Sequence, residues 1–156
     1  MSTSRIFAAG VTVGALVVGL WATAGSWGAV SAQGARRAVN LPGRSVEAPF
    51  SDAILAGDTL YLAGRLGLEN GQVPEDPQQE ARNVLDQIQA VLAEAGMTMD
   101  DLVSVQVFCS DVGFFADFNA VYPSYFTADP PARAFLGSGT LLRGARFEVM
   151  GTAVRR

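Results

Sequence analysis

Near the end of the chain, Pro130-Pro131-Ala132-Arg133 places one cation after a constrained approach and ahead of Ala134-Phe135-Leu136-Gly137. Consecutive prolines fix φ and disfavour helix for the residue before each, so Arg133 is expected to open a strand as the chain leaves a turn. It is the only charged residue between Pro130 and Leu142. A guanidinium there offers a planar fork of N–H donors that matches a carboxylate or a phosphate. On residue type alone, the commoner role is a surface ion pair of small worth. A second reactive group, Cys109, ends the run Val105-Gln106-Val107-Phe108-Cys109. A thiol in such an apolar run is expected as a small buried hydrophobe, not as a nucleophile.

Composition removes most other chemistry. The 156 residues contain no histidine, and all 11 positive charges are arginine. That excludes a Ser-His-Asp triad, a histidine-based metal site, a Schiff-base lysine and a Walker-type phosphate loop. One cysteine makes neither an internal disulfide nor a zinc cluster. No cofactor or metal is expected. The net charge of −4 argues against nucleic acid as a partner.

The first 32 residues read as a targeting segment. Met1–Arg5 is short and polar, Ile6–Gly25 is uncharged, and Val30-Ser31-Ala32 has small residues where signal peptidase cleaves. Cleavage after Ala32 is expected, leaving a folded domain over residues 33–156 in an exported, periplasmic or secreted protein. Since ~20 uncharged residues also span a bilayer, an uncleaved anchor over residues 6–25 is the alternative. A membrane is a partner only in that second case.

The elements that position Arg133 follow in order. Arg36–Asn40 reads as a short strand, and Ala48–Leu55 and Thr59–Gly67 as a hairpin about Gly57-Asp58. A helix begins at Asp76-Pro77, with Asp76 as N-cap and Gln79 placed to complete a capping box. Ala81, Val84, Leu85, Ile88, Val91, Leu92 and Ala95 form its apolar face, and Gly96 ends it. Glu80, Arg82, Asn83, Asp86, Gln87 and Glu94 fall on what reads as a solvated face. Leu102–Cys109 alternates as a strand. Phe114–Phe126 reads as a second helix, buried along Phe115, Phe118, Tyr122, Tyr125 and Phe126 and loosened by Pro123. Arg146–Val154 is a last strand. This order gives an α+β sheet with both helices over one face.

These elements carry short stretches that, taken together, resemble the Rid/YjgF family of RidA-like reactive-intermediate deaminases. The stretches are Pro49-Phe50-Ser51, Leu60–Arg65, Asn83-Val84-Leu85, Ala95-Gly96, Val105–Asp111, Asn119–Tyr122, Tyr125-Phe126, Pro131-Ala132-Arg133, Phe147-Glu148-Val149 and Ala153–Arg156. The resemblance implies a chorismate-mutase-like fold, assembled as a homotrimer with clefts between subunits. It implies hydrolysis of enamine or imine intermediates to a keto acid and ammonia. In that case Arg133 anchors the substrate carboxylate, and Phe50, Ala63, Gly64, Asn119, Phe135 and Met150 line the cleft.

Departures from the family pattern bear on mechanism. The family's Glu-Ile-Glu is Glu148-Val149-Met150, and the resemblance places the water-positioning carboxylate at the position held by Met150. Glu148 is expected to point to the opposite face. The family's Ser-Gly-Gln is Ala63-Gly64-Arg65, its Pro-Tyr-Ser is Pro49-Phe50-Ser51, and its Arg-Ser-Cys is Arg133-Ala134-Phe135. The cleft is therefore expected to be more apolar, with Arg65 either a second cation beside it or an exposed strand residue. Two functional readings stand: a deaminase with altered or weakened catalysis, or a non-catalytic trimer that binds a small apolar carboxylate.

Overall fold

The helix α1, Pro77–Glu94, organises the domain in this computed structural model, which describes residues 36–45 and 47–156. The targeting segment expected over residues 1–32 lies outside them. Asp76 caps α1 by accepting from the Gln78 N–H at 2.9 Å, and Pro77 occupies the first position, where no donor is missed. Gln79 does not close a capping box; its amide donates to Asn83 Oδ1 at 2.8 Å. At the other end Gly96 takes φ 71°, and the Met97 N–H reaches back to the Leu92 carbonyl at 2.9 Å.

The apolar stripe of α1 lies on a six-stranded sheet. The strands are β1 (Arg37–Val39), β2 (Ala53–Ala56), β3 (Thr59–Leu66), β4 (Leu102–Cys109), β5 (Ala132–Gly137) and β6 (Phe147–Val154), in the spatial order β1-β2-β3-β6-β4-β5. Among the described strands only β4 and β5 pair in parallel. Val84, Leu85, Ile88, Val91 and Leu92 are sealed against Leu60, Leu62, Val105, Val107, Phe147 and Val149. The alternation along β4 and β6 thus sends one set of side chains under the helices and leaves the other set on a helix-free face. No helix among the described residues is long and apolar enough to cross a membrane.

Three further expectations change. Glu80 is not solvated: it is wholly buried, and its carboxylate accepts from the backbone N–H groups of Arg146 and Phe147 at 2.7 and 3.2 Å and from Arg146 Nη1 at 2.8 Å. Asn83 and Gln87 likewise turn inward and donate to the Gly67 and Leu66 carbonyls. Strand β3 leaves its regular pairing at an irregularity between Leu62 and Arg65, and the carbonyls at its end need these partners. Finally, Phe114–Phe126 is not one helix. A tight turn at Val112–Phe114 precedes α2 (Phe115–Val121), and the tighter turn Tyr122–Tyr125 follows. Pro123 lacks an N–H and its ring crowds the preceding turn, which ends the α-helical pattern there.

Within this frame Cys109 behaves as expected. It is fully buried, its thiol donates to the Asp111 carbonyl, and burial pushes its pKa up.

Candidate active site

The pairing register places Arg133 opposite Val105, and Val105 is buried under the helices. The Arg133 side chain therefore faces α2, as does Phe135 two residues on. From α2, Asn119 accepts a hydrogen bond at 2.7 Å from Arg133 Nη2. The guanidinium carbon stands 4.4 Å from the Tyr122 ring centre, 5.9 Å from Phe118 and Phe135, and 6.0 Å from Phe115. No carboxylate pairs with it among the described residues, and its Nη1 is buried without a protein partner. Phe115 and Phe135 meet edge to face at 5.1 Å, and Phe118 and Phe135 at 5.7 Å. The arginine is thus oriented by aromatic faces and one amide, and it keeps donor capacity in hand. A surface ion pair it is not.

The other group of expected residues gathers elsewhere. Phe50, Ala63 and Gly64 line a groove of about 280 Å³ together with Leu66, Leu142 and Glu148. Glu148 pairs with Leu66 on β3 and with Phe108 on β4, so it stands on the helix-free face. Its carboxylate lies against the backbone of Gly64, where a Cβ would come within 2.1 Å of Oε1. Met150 shares this face, opposite Gln106, and is not among the groove's lining residues. The expectation that Glu148 points away from Met150 is overturned, because residues two apart on a strand share a face. Glu148 is the functional candidate that the reading of the sequence passed over, and the period-two rule was the signal that finds it.

Arg65 is neither a second cation in the groove nor an exposed strand residue. Its Nη1 donates at 2.8 Å to Oδ1 of Asp52, a carboxylate that is 3% exposed. Asp52 also accepts from the Leu41 N–H at 2.8 Å and sits 3.3 Å from Arg44 Nε. This cluster ties the segment that carries Phe50 to β3. It also backs a wider cavity of about 540 Å³ that shares Phe50 and Ala63 with the groove.

Arg133 and Glu148 therefore lie on opposite faces of one sheet: their partners on β4, Val105 and Phe108, differ by an odd number of positions. The single chain brings Asn119 and Phe135 to Arg133, and Phe50, Ala63 and Gly64 to Glu148, but it does not bring the two groups together.

Fold and site composition define an α+β protein of the Rid type, and the chain belongs to the Rid/YjgF family. The family described as Endoribonuclease L-PSP matches residues 43–155. The chain is 36% identical over 110 residues to a 2-iminobutanoate/2-iminopropanoate deaminase of Bos taurus, covering 69% of this chain and 80% of that one. It is 36% identical over 104 residues to a RutC family protein of Sulfurisphaera tokodaii, covering 65% and 83%. Among solved structures, the YjgF gene product of E. coli superposes with a TM-score of 0.71 at 28% identity, covering 77% of this chain and 99% of that one.

Proposed function

We propose that this protein hydrolyses small imine and enamine carboxylates to keto acids and ammonia, in sites built from two copies of the chain. The observation that carries the reading is the division just described: an unpaired, oriented guanidinium on one sheet face and a single carboxylate in an apolar groove on the other. A substrate with a carboxylate at one end and an electrophilic C=N carbon at the other needs both. The helix-free face, with Tyr61, Leu136, Met150 and Val154 exposed beside Phe50, offers the apolar surface for such an assembly. The family resemblance points to a trimer.

The chemistry follows from the residues. Arg133 of one copy holds the substrate carboxylate by paired N–H donors. Glu148 of the neighbouring copy accepts a proton from water as the water oxygen bonds to the imine carbon. That proton passes to nitrogen to give a carbinolamine. Glu148 then takes the hydroxyl proton and delivers it to nitrogen as the C–N bond breaks, so that ammonia leaves and the carbonyl remains. An enamine enters after protonation at its β-carbon. A positioned base of this kind contributes ~10²–10⁴-fold in rate. The weakened catalysis that Met150 would impose is then relieved by Glu148. A net charge of −4 and a groove whose one ionised lining residue is a carboxylate oppose a polyanionic substrate such as RNA.

The test is complementation. Arg133→Ala and Glu148→Gln are each expected to abolish hydrolysis of imines generated in situ by an amino-acid oxidase. Refolded together in equal amounts, they are expected to recover about a quarter of wild-type activity, since half the copies keep each group and sites pair them at random. No recovery, with a monomer by light scattering, would sink the two-copy site. Keto acids that bind in an Arg133-dependent way without any imine turnover would leave the non-catalytic binding reading in its place.

A further inference from the structure

The walls of the groove say more about the substrate than its charged group does. Apart from Glu148, every lining residue is apolar or lacks a side-chain polar atom: Phe50, Ala63, Gly64, Leu66 and Leu142. In the single chain Phe50 is 57% exposed and Leu142 is 73% exposed, so both present apolar surface at the mouth, towards the neighbouring copy that brings Arg133 and the substrate. Leu142 is held there by a tight turn in which Arg143 takes φ 59° and Gly144 φ 75°. A left-handed arginine is uncommon and persists where the surrounding fold imposes it. The groove offers about 280 Å³, more than a three-carbon acid displaces. The cations nearby, Arg36 and Arg44, line the adjoining cavity and not the groove, and Arg44 already donates from Nη1 and Nη2 to the Ser45 and Ala48 carbonyls.

We infer that the substrates are imino carboxylates with an uncharged apolar side chain of about leucine, methionine or phenylalanine size, favoured over the three-carbon imine. The inference rests on the hydrolase reading for the reaction and concerns only what the groove holds. With the carboxylate on Arg133 and the imine carbon at Glu148, the remaining substituent has Phe50, Leu66 and Leu142 to lie against. Burying it removes apolar surface on both sides from water. An acidic side chain would meet Glu148 with no cation in the groove to offset the repulsion, and a single methyl would leave Phe50 and Leu142 wet. Each methylene matched by an apolar pocket discriminates by roughly tenfold or more.

Two measurements on the full folded protein test this. In the oxidase-coupled assay, kcat/KM for the leucine-derived imine is expected to exceed that for the alanine-derived imine at least about tenfold, with the glutamate-derived imine poorest. Leu142→Ala should shrink the leucine-to-alanine ratio, and Leu142→Glu should shrink it further. By calorimetry, the keto acid of leucine is expected to bind more tightly than pyruvate, and Arg133→Ala to weaken both. Turnover that is equal for the two imines, or greatest for alanine's, overturns the inference and leaves the hydrolase reading intact. Preferential binding of leucine's keto acid without turnover of any imine overturns the hydrolase reading and upholds the apolar ligand class. Equal binding of the two keto acids overturns the inference whatever the catalytic result.

Discussion

A methyl group added at Gly64 would lie 2.1 Å from Oε1 of Glu148. The carboxylate rests on bare backbone, and only glycine at residue 64 allows it. The obstructing atoms belong to the far end of a flexible side chain, so the fold can yield without breaking. Gly64→Ala is therefore expected to swing Glu148 out of place and lower kcat about 10²-fold, the scale of a mispositioned base, while the melting temperature stays close to wild type. Wild-type kcat in this variant would show that Glu148 is not needed where it sits.

Arg133 separates anchoring from charge. Arg133→Lys keeps a cation but loses the planar fork and the stacking over Tyr122, so KM is expected to rise steeply with a smaller change in kcat. Either Arg133→Lys or Arg133→Ala should also cost about 0.5–2 kcal/mol of stability, because the guanidinium packs over aromatic faces. Urea unfolding beside steady-state kinetics checks both. Unchanged KM in the lysine variant would reduce Arg133 to a packing residue.

Glu80 is a stability residue on a helix face that reads as solvated. Glu80→Ala removes the acceptor for two backbone N–H groups and the carboxylate paired with Arg146, which keeps only the Pro74 and Glu75 carbonyls. Breaking one side of such a buried pair costs about 3–5 kcal/mol, so the urea midpoint should fall sharply. A surface-sized loss would contradict the burial.

Burial pushes the Tyr122 phenol up to about 12, against the pull of Arg133, and raises Tyr125 as well, aided by its hydrogen bond to Asp86. Below pH ~10 both phenols are neutral, folded or unfolded, and their contribution is fully present. As pH rises from the unfolded value of about 10 towards 12, the unfolded chain ionises first. Unfolding then releases protons, and stability falls. Tyr122→Phe is expected to make that alkaline loss shallower, at little cost near neutrality, since its hydroxyl is buried without a partner. Chemical denaturation at pH 8 and pH 11 measures the difference; identical slopes for both proteins would contradict it.

For export, protein purified from its native host is expected to begin at Gln33 on N-terminal sequencing. An intact Met1–Gly25 segment recovered in the membrane fraction would replace the cleaved signal with an anchor.

Local rules determined much of this molecule. The three- and four-residue spacing of apolar positions, Asp76-Pro77 and Gly96 specify α1, since caps and periodicity act within a few residues. Alternation specifies β4, the inertness of Cys109 follows from its apolar run, and Pro130-Pro131 marks the start of the strand that carries Arg133. The period of two also implies that Glu148 and Met150 share a face; what it leaves open is which of them meets a neighbour. That was decided by the irregularity between Leu62 and Arg65, which brings Gly64 under Glu148. The partners of Asp52 and Glu80 lie up to 13 and 67 positions away in the chain, so no local pattern marks those carboxylates as buried. The separation of Arg133 from Glu148 across the sheet has the same origin. Alternation assigns each side chain to a face, but strand order and register decide what stands opposite, and those depend on the whole sheet having formed.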